Sequence, residues 1–90
     1  MSIHKQWNII VTIDEKPVER ATAARAQLSC DDGQLYTGVG LAKRFERDDD
    51  VPGIGDDLAA ARALSDLATQ LTADAYAEID HTIGWQSDDS

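Results

Sequence analysis

Three side chains in this 90-residue sequence have the chemistry for catalysis or metal binding: His4, Cys30 and His81. Catalysis usually needs a nucleophile or base beside an orienting partner, and a zinc site needs several Cys or His ligands at short spacing. No second Cys or His stands at ligand spacing from any of the three. We therefore predict no catalytic residue, no metal ion and no cofactor, and we expect that the protein is not an enzyme.

Two further motifs are only weak indications of a ligand-binding site. The acidic run Asp48–Asp50 suggests a calcium loop, but Pro52 stands where that loop needs its central glycine. The segment Gly53-Ile54-Gly55 precedes a helical pattern as a phosphate loop would, yet Asp56 and Asp57 follow it and would repel an anion. These segments predict an exposed acidic loop and a compact turn into a helix.

The net charge of −9 is unevenly distributed along the chain. Residues 1–45 carry a net charge of +1, and residues 46–90 carry −10. A nucleic acid would be repelled by the second half, so only the first half could meet a phosphate backbone. The charge therefore argues against direct nucleic-acid binding by the chain as a whole.

Hydropathy and cysteine usage limit the class of protein. No run approaches the roughly 18 to 20 apolar residues that a membrane span requires, and the first residues lack the apolar stretch of a secretory signal. A single cysteine excludes an intrachain disulfide, so packing and oligomerisation must stabilise the fold. We expect a cytoplasmic protein with no membrane partner.

Three segments have the alternating pattern of β-strands: Trp7–Ile13, Val18–Leu28 and Gln34–Arg44. The turns between them are Asp14–Pro17 and Asp31–Gly33, where proline and glycine favour a reversal of the chain. Because the connections are short, sequential strands should pair antiparallel.

One long helix should follow the loop, because apolar residues recur every three to four positions after Asp57. Residues 72–75 either continue this helix or cap a second short helix that carries Tyr76, Ile79 and Ile83, and Thr72 with Asp74 favours the break. The chain is then a single domain over residues 1–90, with an ordered core from about 5 to 84 and a loose tail over 85–90.

The predicted fold class is α+β: a three-stranded antiparallel sheet covered on one face by the long C-terminal helix. The opposite sheet face has no cover within the chain, and a three-stranded sheet leaves two edges. Both features predict a homodimer or another partner. The residues assigned to this uncovered face are Asn8, Ile10, Thr12, Ala23, Arg25, Gln27, Tyr36, Gly38 and Gly40.

Gly38 and Gly40 create a strip without side chains on one face of the third strand. Two interpretations stay open at this stage: a large neighbour or the helix lies over the strip, or the strip is a dimer or ligand surface. The basic and aromatic side chains on or beside this sheet complete a predicted partner-binding set. Its members are Arg25, Tyr36, Gly38, Gly40, Lys43 and Arg44.

The segments Thr37–Lys43 and Val51–Leu67 resemble a family of small actinobacterial proteins of unassigned function, some of them linked to dormancy and low-oxygen stress. The resemblance implies a fold like the double-stranded-RNA-binding domain, a homodimer, and a shape similar to ribosome hibernation factors. It implies no catalytic residues. The matching positions are Gly38, Gly40, Pro52, Gly55, Asp56, Arg62, Ser65 and Asp66.

Within that motif we expect a structural role for Arg62, which could pair with Asp56 or Asp66 and dock the loop on the helix. Two functional hypotheses remain. The first is a small homodimeric binding protein, associated with stress or dormancy, that engages the ribosome through its sheet face. The alternative is a protein-interaction module whose acidic helix and loop bind a basic protein partner.

Overall fold

The computed structural model describes residues 1–43 and 53–81. Strands β1 (Asn8–Lys16), β2 (Ala21–Ser29) and β3 (Leu35–Lys43) are followed by one helix, α1 (Ile54–His81). The strands form an antiparallel sheet in the order β1-β2-β3. The predicted α+β architecture, with three sequential strands and a long C-terminal helix, is confirmed.

The turn between β2 and β3 is held by local hydrogen bonds. Cys30 N donates to Gln34 O at 2.9 Å, and Gly33 N donates to Cys30 O at 3.1 Å. Gly33 has a φ of 86°, which glycine adopts without the steric cost of a side chain. The carboxylate of Asp32 accepts a further bond from Gln34 N at 3.0 Å. This turn closes the hairpin that sets the register of β2 against β3.

The helix α1 begins directly after Gly53, whose φ is 94°. The carbonyl of Gly53 accepts the first helical hydrogen bond, from Asp57 N at 2.9 Å. The negative charges of Asp56 and Asp57 in the first turn interact favourably with the positive end of the helix dipole. The predicted break at Thr72 is wrong, because α1 is continuous over 28 residues. The hydroxyl of Thr72 donates to Ala68 O at 2.8 Å within the helix, so it does not compete with the helical backbone.

The core lies between α1 and one face of β2 and β3, and it is built mainly from small side chains. Only two large side chains among the described residues are fully buried, Leu28 and Leu67. Alanine at the other positions lets the helix approach the sheet closely. The buried cluster consists of Ala24, Ala26, Leu28, Ala42, Ala59, Ala63 and Leu67.

The glycine strip lies beneath the helix, so the assignment of Tyr36, Gly38 and Gly40 to the uncovered face is wrong. The register pairs Gly38 with Ala26 and Gly40 with Ala24, which are core residues. These three β3 residues therefore share the helix-covered face.

The approach of the helix explains why glycine is needed there. A Cβ atom at Gly38 would collide with the carbonyl oxygen of Ala63 and would lie 2.6 Å from Leu67 N. At Gly40 it would collide with Ala59 O and lie 2.5 Å from Ala63 N. The interpretation in which the helix lies over the strip is confirmed. The hydropathy pattern predicted the wrong buried face for β3, because the larger apolar side chains of this strand lie on the exposed face.

Candidate interaction surfaces

The outer edge of β3 is hydrogen-bonded to side chains of α1. Arg62, Asp66 and Gln70 lie four residues apart, so they share one side of the helix. Each meets a backbone group of an alternate β3 residue. The bonds are Arg62 Nη1 to Leu41 O at 2.6 Å, Val39 N to Asp66 Oδ2 at 2.9 Å, and Gln70 Nε2 to Thr37 O at 2.7 Å.

This row of bonds closes one edge of the sheet. An open edge presents unpaired N–H and C=O groups to any extended chain. Here the three side chains occupy one outward-facing group on each of three alternate residues. Gln70 Nε2 also lies 3.4 Å from Asp66 Oδ2, which links two members of the row. Another strand could pair with β3 only by displacing them.

The opposite edge, along β1, differs at its centre, around Val11, in the part of the chain that the structure describes. Pairs in an antiparallel ladder alternate between bonded and non-bonded, and Val39 faces outward from β3. Arg25 pairs with Val39 on one side and with Thr12 on the other, so the backbone N–H and C=O of Thr12 point toward β2. The backbone groups of its neighbours Val11 and Ile13 therefore point outward. The backbone groups of Val11 and Ile13 meet no hydrogen-bond partner at this edge among residues 1–43 and 53–81.

Apolar side chains accompany this free edge. The helix lies over β3 and β2, and only Val11 of β1 packs against the buried cluster. Ile9 is 46% exposed and Ile13 is 41% exposed, although both point to the helix side of the sheet. On the other side of the strand Ile10 is 67% exposed. Apolar exposure along a free edge is typical of a pairing surface.

The sheet face away from the helix carries three cations. The register aligns Lys16, Ala21 and Lys43 in one row, and Arg25 lies on the same face beside Thr12. All three cationic side chains are exposed. This open face also carries the exposed Asp14 and apolar side chains of β3 such as Val39, so it combines a mainly basic charge with apolar character.

The predicted site residues therefore divide between the two faces. Arg25 and Lys43 lie on the open face, whereas Tyr36, Gly38 and Gly40 lie on the covered one. Arg44, Pro52 and the acidic run over 48–50 are outside the described residues.

The remaining motif residues lie along α1. Gly55 is half-buried, and a Cβ atom there would lie 2.9 Å from Thr22 Oγ1. Asp56 is half-buried in the first turn, and Ser65 is exposed, with its carbonyl accepting a bond from Thr69 Oγ1 at 3.0 Å. Arg62 and Asp66 both contact β3, so they dock the helix on the strand. Sequence reasoning missed Gln70, whose spacing of four from Asp66 was the available signal.

Tyr36 connects the start of β3 to the second half of the helix. Its hydroxyl donates to Gln34 Oε1 at 2.7 Å. The carboxylate of Asp74 competes with Gln34 for the same hydroxyl proton, and this hydrogen bond, together with partial desolvation, raises the pKa of Tyr36 to about 12. The phenol is therefore a neutral donor over the physiological pH range.

Cys30 lies close to Tyr36 at the end of β2 and has a free thiol. Desolvation raises its pKa above the usual value, and the negative charges of Asp32 and Asp31 raise it further. A thiol with a raised pKa is a poor nucleophile, because the reactive form is the thiolate. Within residues 1–43 and 53–81 no three His, Cys, Asp or Glu side chains cluster as a metal site would require.

Comparison with known proteins identifies the family of this chain. The model of the Rv2632c-like family matches residues 5–87. The chain belongs to the Rv2632c-like family. Its relatives include the uncharacterized protein Rv2632c of Mycobacterium tuberculosis, which is 48% identical over 71 residues covering 79% of this chain and 73% of that protein. The uncharacterized protein Mb1767 of Mycobacterium bovis is 43% identical over 67 residues, covering 74% of this chain and 68% of the other.

A solved structure supports the fold of this Rv2632c-like chain. The crystal structure of Rv2632c superposes with a TM-score of 0.81 at 41% identity, covering 94% of this chain and 98% of that chain. These matches confirm the small actinobacterial family that the two motif segments indicated. No helix in the described part of the chain has the length and apolar character to span a membrane.

Proposed function

We propose that this protein is a non-enzymatic binding protein that works as a homodimer joined through the free edge of β1. The observation that carries the proposal is the difference between the two sheet edges: helix side chains bind the backbone of β3, and the outward backbone groups of Val11 and Ile13 have no such partner among residues 1–43 and 53–81. The core favours the same conclusion. Fourteen large hydrophobic side chains are exposed among the described residues, whereas two are fully buried.

Antiparallel pairing of two β1 strands about a two-fold axis at Val11 would satisfy this edge. Val11 would then face its own copy, and Ile9 would face Ile13 of the second copy on the helix side of both sheets. At the ends of the strand Asp14 would face Asn8, and no two like charges would be opposed. The two sheets would join into one sheet of six strands.

The dimer is tested by a charge placed on the edge. We expect Ile13→Lys to convert the dimer to a monomer, because an inward-pointing charge on an edge strand blocks pairing. Val18→Lys is the matched control, since Val18 is 98% exposed in the turn after β1 and takes the same change of charge. Sedimentation equilibrium of the three proteins gives the masses. A monomeric wild-type protein, or equal effects of both substitutions, would contradict the proposal.

A backbone variant tests the hydrogen bonds themselves. Proline at position 11 removes an N–H that points away from β2, so the ladder between β1 and β2 is kept. Two bonds would be lost across the two-fold axis, and we expect the dimer to weaken about tenfold or more. Val11→Ala is the control that shortens the side chain and keeps the N–H. Equal dimer affinity for the two variants would count against strand pairing.

A second candidate function is supported by Lys16, Arg25 and Lys43, which share the open face. We propose that this face binds an anionic partner, the ribosome, with a role in dormancy or low-oxygen stress as the resemblance implies. In the dimer the cations of both copies would lie on one extended sheet, and its basic surface would face away from the acidic helices.

Sedimentation with ribosomes of the host at low and high salt tests this second candidate. We expect co-sedimentation that is lost at high salt, because each phosphate contact releases counterions. Arg25→Ala and Lys43→Ala should each reduce binding, and Lys5→Ala, outside the open face, should leave it unchanged. Association that ignores both salt and these substitutions would reject the open face as the ribosome contact.

A further inference from the structure

A cleft of about 170 Å³ lies at one end of the sheet, between the N-terminal segment, the turn that joins β2 to β3, and the helix. Sites for drug-sized ligands usually have 300–1,000 Å³, so this cleft has room for a small group such as one side chain. Its lining includes Lys5, Trp7, Asp31, Asp32, Tyr36 and Leu71.

Two aromatic rings and an aliphatic side chain form the apolar part of the cleft. Trp7 is 50% exposed, and Tyr36 is half-buried against the core. The faces of such rings attract cations through their quadrupole, with Trp the strongest of the aromatic side chains. Leu71 is partly buried beside them and offers contact to an aliphatic stem.

The charges around the cleft favour a positive ligand. Asp31 and Asp32 line it, and the carboxylate of Asp74 lies beside the hydroxyl of Tyr36. Lys5 is the one cation among the lining residues. Asp32 is held in place by its bond to the backbone of the turn, so its carboxylate is a fixed part of the rim. Two lining carboxylates, with that of Asp74 nearby, against the one ammonium of Lys5 favour a negative potential in the cleft.

We propose that this cleft binds a small organic cation of the alkylguanidinium or alkylammonium class. The cation would come either from an arginine or lysine side chain of a protein partner or from a free amine. Both sources present the same chemistry: a delocalised or compact positive charge on an aliphatic stem, which suits two ring faces, a leucine and a carboxylate rim. All the lining residues belong to one copy of the chain, so the site can be tested in a monomeric variant as well as in the dimer.

The indole N–H signal of Trp7 in an NMR spectrum of the labelled protein is a direct reporter. Trp85→Phe assigns it, because Trp7 and Trp85 are the two tryptophans of the chain. The probes are methylguanidinium chloride and a short capped peptide with one central arginine, each compared with sodium chloride at equal ionic strength. We expect a saturable shift with both probes. No shift beyond the salt control would overturn the proposal.

The same titration separates the two sources of the cation. Tighter binding of the arginine peptide than of methylguanidinium would assign the cleft to a side chain of a protein partner. Equal affinity would assign it to a free small cation. Either result supports a cation site, whereas a shift caused by inorganic phosphate in place of the cations would reject it.

Charge variants give the sign of the interaction. Asp32→Asn keeps the acceptor for the turn and removes the charge, and we expect it to weaken binding about fivefold. Asp57→Asn, in the first turn of α1 and at the opposite end of the helix from Leu71, is the matched control and should have no effect. Lys5→Ala should strengthen binding of the cations, since it removes a competing positive charge. Weaker binding by Lys5→Ala, or equal losses in both aspartate variants, would overturn the site.

Discussion

The two edges of the sheet differ in how their backbone groups are satisfied. Along β3, Arg62, Asp66 and Gln70 use one side of the helix to bind alternate residues of the strand. Along β1, within residues 1–43 and 53–81, the helix gives the outward backbone groups of Val11 and Ile13 no polar partner and leaves Ile9 and Ile13 largely exposed. A small protein with one helix can cover only part of a three-stranded sheet. This chain places the helix over β2 and β3 and leaves β1 for an intermolecular contact.

The largest effect should follow from Gly38→Val, which attacks the contact that closes the β3 side. The new side chain would collide with the backbone of α1, and backbone cannot move aside as a flexible side chain can. We expect a loss of about 3 kcal/mol or more in the free energy of unfolding, measured with urea. Thr37→Val, one residue away on the open face, is the control and should change stability little. Unchanged stability of Gly38→Val would mean that the helix does not pack on this strip.

A smaller effect is expected from Asp66→Ala, which removes the acceptor for Val39 N. The free energy of unfolding should fall by about 1 kcal/mol, because the bond is exposed and water can replace it. Its second consequence is the sharper test. With the β3 edge partly opened, species larger than the dimer should appear in sedimentation velocity.

The helix variant Glu78→Ala serves as the control for Asp66→Ala, because it removes an exposed carboxylate of α1 away from the sheet edge. If both variants show the same mass distribution, the hydrogen bonds of Asp66 do not protect the edge. The difference between the two sheet edges would then need another cause.

The smallest expected effect is on the pH dependence of the free energy of unfolding. It arises from the contact between Tyr36 and Asp74, which also connects β3 to the helix. The pKa of Tyr36 is raised to about 12 in the folded protein, against an ordinary value of 10.0. Its stabilising contribution is complete below pH 10, and it falls as the pH rises toward 12, since the unfolded chain then ionises first. Tyr36→Phe should flatten this part of the stability profile, measured by urea unfolding across that window.

Tyr76→Phe is the matched control for the pH experiment, because it removes a hydroxyl from an exposed residue of α1. It should leave the alkaline decline of the wild-type protein in place. An equal decline in the Tyr36→Phe protein would show that this tyrosine does not couple the strand to the helix.

Much of this fold could be predicted from the sequence because its local signals agree. Alternation predicted three strands, the Asp31–Gly33 turn predicted a hairpin, and the leucine period predicted a helix. The break at Thr72 was wrong, since a threonine hydroxyl can bond within its own helix, and no glycine or proline follows before Gly84. Propensity at one or two residues could not outweigh the continuous helical pattern.

The candidate surfaces were less predictable. Alternation placed Arg25 on the open face, but the same reasoning put Gly38 and Gly40 there as well, and it assigned Lys43 only to a position on or beside the sheet. A glycine has no hydropathy that marks it as core. Only the approach of α1 showed that its backbone fills the space where a side chain would be.

The sequence by itself determined the elements, their order and the antiparallel pairing, because these depend on periodicity, turn residues and short connections. Tertiary structure alone decided which sheet edge is closed and which glycines are buried. Both depend on where one helix rests across three strands, and that position follows from the close packing of alanine, glycine and helix backbone. Arg62, Asp66 and Gln70 carry their spacing in the sequence, but their backbone partners on β3 exist only once the helix is docked.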